Sequence, residues 1–140
     1  MVVLIVNTSN YKLTKYAGGI THYAEVSLNW TLNNQSRTIQ VGDEVFAWLK
    51  DVYGPDAFEW GSCDGYRKAA VDGVEYALTH SATPFDSSKL AVTVIKILAA
   101  PADTSDADVK CTACYAIWRG LQIIPTLEPR FEGRGIIFGQ

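Results

Sequence analysis

The chain has 140 residues, 48% of them hydrophobic and 19% charged, with a formal net charge of −3. That length fits a single domain, residues 1–140, and the apolar content argues against disorder and for a core that needs no staples. The acidic balance argues against nucleic acid, whose phosphates require a basic face, and against strong attraction to anionic lipid.

Met1-Val2-Val3-Leu4-Ile5-Val6 has no basic flank and turns polar at Asn7, so it reads as a first β-strand over residues 2–6 and not as a secretory leader. Residues 22–32 alternate, with Ala24, Val26, Leu28, Trp30 and Leu32 against Tyr23, Glu25, Ser27, Asn29 and Thr31, the pattern of a half-buried strand. A short strand is expected over 37–41. In residues 42–55 the spacing of Val45, Trp48, Leu49 and Val52 favours a helix near 43–53, started by Asp43 and stopped by Gly54-Pro55, over a strand that would set Val45, Ala47 and Leu49 against Phe46, Trp48 and Lys50. Strands are expected over 73–79, 90–98, 110–118, 121–126 and 135–138, with 101–108 as an acidic surface loop. The strand over 90–98 is apolar on nearly both faces and so central, with Leu90, Val92, Val94, Lys96 and Leu98 sharing one of them. The fold class that follows is mostly β, an antiparallel β-sandwich with one or two short helices. The alternative is an α+β arrangement with the 43–53 helix packed on one sheet.

No apolar run is long enough to span a bilayer; Lys96 interrupts the longest one. Three cysteines without a leader point to reduced thiols and a cytoplasmic location, with release by a non-classical route left open. Cys111 and Cys114 have the spacing of half a zinc site or a redox pair. On a strand, however, they would point to opposite faces, and only Cys63, His22 and His80 remain to complete a metal site. No metal and no cofactor are therefore expected. His22 and His80 are the only imidazoles available for acid–base work. Ser81 adjoins His80, but neighbours on a strand point apart, and no nucleophile elbow or phosphate-binding loop is present. A small hydrolase using either histidine is thus the weakest reading, and no catalytic residue is assigned.

Aromatic residues carry more information. Tyr53, Phe58, Trp60, Tyr66 and Phe85 fall in or beside expected loops, where a ring suits sugar stacking, a lipid headgroup or a protein contact. Residues 7–15, residues 65–79, and Ser81-Ala82-Thr83-Pro84-Phe85-Asp86 followed by an apolar strand together resemble the actinoporin-like group, the sea-anemone cytolysins and the fungal fruit-body lectins. The resemblance covers about half the chain. It implies a β-sandwich with a headgroup or glycan site in loops at one end, with Ser81, Pro84 and Phe85 on the binding stretch and Tyr66 as an addition. Two departures count against pore formation: no amphipathic helix precedes the first strand, and Asp86-Ser87-Ser88-Lys89 stands where the cytolysins carry tyrosines.

The sequence thus points to a non-catalytic module that binds carbohydrate or lipid headgroup through Trp60, Tyr66, Ser81, Thr83, Pro84, Phe85 and Asp86. The alternative is a self-assembling or protein-interaction subunit, with a homo-oligomer as one form of it.

Overall fold

The computed structural model describes residues 7–32, 36–82 and 87–139. The strand expected over 2–6 lies outside them. Strands β1 (Asn7–Ala17) and β2 (Ile20–Leu32) form a long antiparallel hairpin. Its two turn residues, Gly18 and Gly19, both have positive φ, at 62° and 82°, a conformation that matches the twist of the flanking strands and that glycine adopts without steric cost. Strand β3 (Thr38–Val41) runs parallel to β4 (Leu90–Leu98), which pairs antiparallel with β2, so the sheet order is β1-β2-β4-β3. A parallel pair needs a long crossover. Helices α1 (Trp48–Tyr53) and α2 (Cys63–Thr79) lie within it. Helix α3 (Asp106–Gly120) follows β4, and a small hairpin, β5 (Arg130–Glu132) and β6 (Gly135–Ile137), closes the described chain.

The architecture is mixed α/β. One face of the four-stranded sheet carries Ala24, Val26, Leu28 and Trp30 of β2 and Leu90, Val92 and Val94 of β4, all buried. Helices α2 and α3, packed against each other, cover that face. Where the expected sandwich would have a second sheet, these two helices stand instead. The opposite face is polar, with Asn10 on β1 donating to Ser27 on β2 and Gln40 on β3 donating to Thr93 on β4. Two of the three strand pairs are antiparallel, an arrangement that tolerates one face packed and one face solvated.

Several expected strands are helices. Residues 73–79 belong to α2, whose buried positions Cys63, Tyr66, Ala70, Gly73, Val74 and Ala77 recur at three- and four-residue intervals. Residues 110–118 belong to α3. It is apolar on most sides because it packs on β1, β2 and α2 together, so a two-residue alternation can be read from it as easily as a helical period. The expected loop 101–108 contains the start of α3. The Ser105 hydroxyl accepts from the Asp108 amide while the Asp108 carboxylate accepts from the Ser105 amide, a reciprocal capping box. Residues 121–126 contribute one isolated bridge, Pro125 to Ser81, in place of a strand. The expected strands at 22–32, 37–41, 90–98 and 135–138 stand within a few residues.

Within β4 a register shift opposite Ser27 and Leu28 leaves Ile95 without a partner. Beyond that bulge the faces exchange, so Ile97 is buried with Val94 while Lys96 is exposed, and the single-face set read from the sequence does not hold past Val94. The helix expected near 43–53 forms only over its second half, with residues 43–47 in turns. It ends where expected, at Gly54 with φ 104°.

Candidate functional site

Short helices have little stability of their own, so α1 depends on what anchors it. Trp48 and Leu49 bury its inner side. The Trp48 indole Nε1 donates to the Ile97 carbonyl at 2.7 Å, and the Ile97 amide donates to the Val45 carbonyl at 3.2 Å. These bonds tie the helix to the bulged end of β4. On the outside, Val52 and Tyr53 are exposed, and Phe58 in the following segment is 84% exposed. Trp60 is half-buried between them. Its ring meets Trp48 and Tyr53 edge-on, each with centroids 6.0 Å apart. The buried Trp48 thus anchors a short segment on which Val52, Tyr53 and Phe58 each stand in water.

Beside Phe58 lies a hollow of about 380 Å³. Phe46, Leu49 and Ala57 contribute its apolar lining, and Asp43, Glu44, Glu59 and Lys50 its charged groups. Glu59 is bound to Arg67 at 2.5 Å, and Arg67 also reaches Asp64 at 3.1 Å. The hydrogen bond from Arg67 is the main reason the Glu59 carboxyl is held below its usual range. The same guanidinium lies 4.9 Å from the centre of the Phe46 ring, a cation–π contact.

Of the residues singled out from the sequence, Trp60 belongs to this face. Tyr66 does not: it lies on α2, 3% exposed, with its hydroxyl donating to the Thr104 carbonyl at 3.2 Å. Burial raises its pKa. Helical spacing turns its ring inward, so it is core and offers nothing to a ligand in solvent. The Ser81 hydroxyl donates to the Ala77 carbonyl at 2.9 Å, satisfying an acceptor in the last turn of α2. Thr83, Pro84, Phe85 and Asp86 lie outside the described residues. Tyr53 and Phe58 are among the loop aromatics expected from the sequence, though not among the expected contacts. Their signal was a helix stop at Gly54-Pro55 followed by a ring with no periodic partner.

The two imidazoles are held differently, His22 buried and His80 half-buried. His22 is 1% exposed, with Nδ1 2.6 Å from Asp108 Oδ1 and the Phe131 ring edge-on at 5.0 Å. Its Nε2 has no hydrogen-bond partner among the described residues. The imidazole thus packs beneath the terminal hairpin, where it serves as a tie between β2 and α3. His80 stacks on Tyr76 at 4.1 Å, with Nδ1 facing the Tyr76 carbonyl. Because α3 is a helix, Cys111 and Cys114 share its buried side; the expectation that they point apart fails with the strand that motivated it. Burial pushes the Cys111 thiol from 9.0 up to about 12 and the Cys114 thiol still higher, and Cys114 Sγ faces the Gly73 carbonyl at 3.2 Å. Such thiols are poor nucleophiles and poor ligands. Among the described residues no group of three or more His, Cys, Asp or Glu side chains converges to hold a metal ion, and no helix is long and apolar enough to cross a membrane.

No family model matches the chain, and no curated protein matches it. Among solved structures, it is similar to the crystal structure of ttk003000868 from Thermus thermophilus, with a TM-score of 0.60 and 20% identity. The match covers 89% of this chain but 17% of that one, so the chain spans a small fraction of the longer protein. At that identity the similarity concerns the fold alone.

Proposed function

We propose that this chain is a non-catalytic binding module that takes a macromolecular partner on the aromatic face of α1 and the segment after it. The observation that carries the reading is the exposure of Val52, Tyr53 and Phe58 within one short segment whose inner side is fixed by Trp48. Leaving such side chains in water costs roughly 1.5–3 kcal/mol each relative to burial, and clustered exposed apolar groups mark interaction surfaces. The buried His22 and the raised α3 thiols support the non-catalytic part.

A sugar ligand is a second reading, favoured by Phe58, whose ring is open enough to stack on a pyranose face. Anionic lipid fits poorly, since Asp43, Glu44 and Glu59 line the hollow beside that ring.

The test compares the wild type with a Tyr53→Ala/Phe58→Ala variant on peptide, glycan and liposome panels. Both side chains are exposed, so the variant keeps the fold. Binding to one class that falls at least about tenfold in the variant supports the reading, as expected for anchor residues. Binding that is equal in the two proteins, or absent from every panel, overturns it.

A further inference from the structure

The charge of the chain is not spread evenly, and its distribution bears on what occupies the aromatic face. Residues 43–64 contain six carboxylates, Asp43, Glu44, Asp51, Asp56, Glu59 and Asp64, against the single cation Lys50, a formal charge of −5. The rest of the chain holds nine carboxylates against eleven lysines and arginines, a formal +2. The whole acidic excess therefore sits on the segment that exposes Phe58. Within it, Glu59 and Asp64 are already paired with Arg67. Asp43 and Glu44, which line the hollow, have no cation within ion-pair distance among the described residues.

The face also shows, within the chain itself, the kind of group that it accommodates. Arg67 lies on the Phe46 ring with its guanidinium held by a carboxylate. Next to this position is the hollow, of related composition: the Phe58, Phe46 and Leu49 side chains, and the carboxylates of Asp43, Glu44 and Glu59 against the one cation Lys50. A lysine or arginine has an apolar stem and a charged head, which suits a ring beside carboxylates. Opposite potentials also steer the encounter and select against acidic partners.

From this we infer that the occupant is a basic segment of another protein, one lysine or arginine lying across Phe58 with its head between Asp43 and Glu44 and a neighbouring apolar residue against Val52 and Tyr53. The inference rests on the aromatic face being the binding surface. It is tested by selecting a phage-displayed random peptide library on the immobilised chain. The enriched peptides are then measured by fluorescence anisotropy against the wild type, Phe58→Ala and Asp43→Asn/Glu44→Gln. The expected consensus pairs lysine or arginine with an apolar residue. Its affinity falls roughly tenfold in Phe58→Ala, and Asp43→Asn/Glu44→Gln both weakens it and flattens its salt dependence. An uncharged or acidic consensus, or no enrichment, overturns the inference. Loss on Phe58→Ala of binding to a neutral glycan, or of a self-associated form seen by light scattering, would overturn the basic partner and leave the face itself standing. Basic peptides indifferent to both variants would overturn the face as well.

Discussion

Asp108 shows how much one side chain can hold. One carboxylate oxygen accepts from the Ser105 amide at the start of α3, and the other faces His22 Nδ1 at 2.6 Å, so the residue both caps a helix and ties it to the turn end of the β1–β2 hairpin. The His22 contact is buried, and losing a buried partner costs more than making the bond contributes. Asp108→Ala is expected to destabilise the fold by about 3 kcal/mol, the cap plus a buried charge-assisted bond. Ser105→Ala, which removes only the hydroxyl of the cap, is expected to cost about 1 kcal/mol. Urea unfolding of the two variants separates the contributions; equal losses would mean that the His22 contact adds nothing. Half of this arrangement is legible in the sequence, because Ser105-x-x-Asp108 before an apolar run is the signature of a capping box. The other half is not, since His22 lies 86 positions away and only the fold brings it to α3.

At the scale of elements, α2 and α3 explain where two-residue periodicity misleads. Strand β2 was legible because its sequence neighbours differ in polarity and face different media, and β4 because it is a short apolar run rich in β-branched residues. Helix α3 touches other elements on several sides, so its apolar residues carry no single period. In α2 small residues hide the pattern, with Ala69, Ala70, Gly73 and Ala77 marking a close approach and not a broad apolar stripe. The candidate site was legible as loop aromatics but not as a surface, because only the fold decides that Tyr66 points inward and Phe58 outward. Gly73 is where the two helices come nearest: a Cβ there would stand 2.3 Å from the Lys110 carbonyl oxygen and 2.8 Å from the Ala113 Cβ. In an isolated helix, Gly→Ala would stabilise by about 1 kcal/mol. Here the backbone of α3 must yield, and overpacking of that kind costs roughly 1–3 kcal/mol beyond any gain in propensity. Gly73→Ala is therefore expected to lower the urea midpoint, whereas Gly61→Ala, with nothing within 4 Å of the added methyl, should leave it within about 0.5 kcal/mol of wild type. A Gly73→Ala protein more stable than wild type would show that α2 and α3 are less closely apposed.

For the molecule as a whole, the titratable groups around the packed layer shift in one direction. Tyr23, Tyr66, Tyr115, Cys63, Cys111 and Cys114 are all acids whose pKa is raised, in each case chiefly because burial penalises the charged form. In the unfolded chain the same groups ionise at their ordinary values, near 9 for the thiols and 10 for the phenols. Below about pH 8.5 both states hold these protons, so they add no pH dependence there. Above it the unfolded chain releases protons that the folded protein retains, and each group so divided lowers stability by about 1.4 kcal/mol per pH unit until its folded pKa is reached, about 12 for Cys111. The urea midpoint is accordingly expected to stay level from pH 7 to about 8.5 and to fall progressively above pH 9. Replacing both α3 thiols, Cys111→Ala/Cys114→Ala, should lower stability at neutral pH by removing packed sulfur, yet flatten the alkaline fall, since two of the groups that drive it are gone. The slope, not the level, is the measurement that decides: an equally steep decline in the variant would mean that the thiols on α3 titrate alike in the folded and unfolded states, and so that the layer between α2, α3 and the sheet admits water.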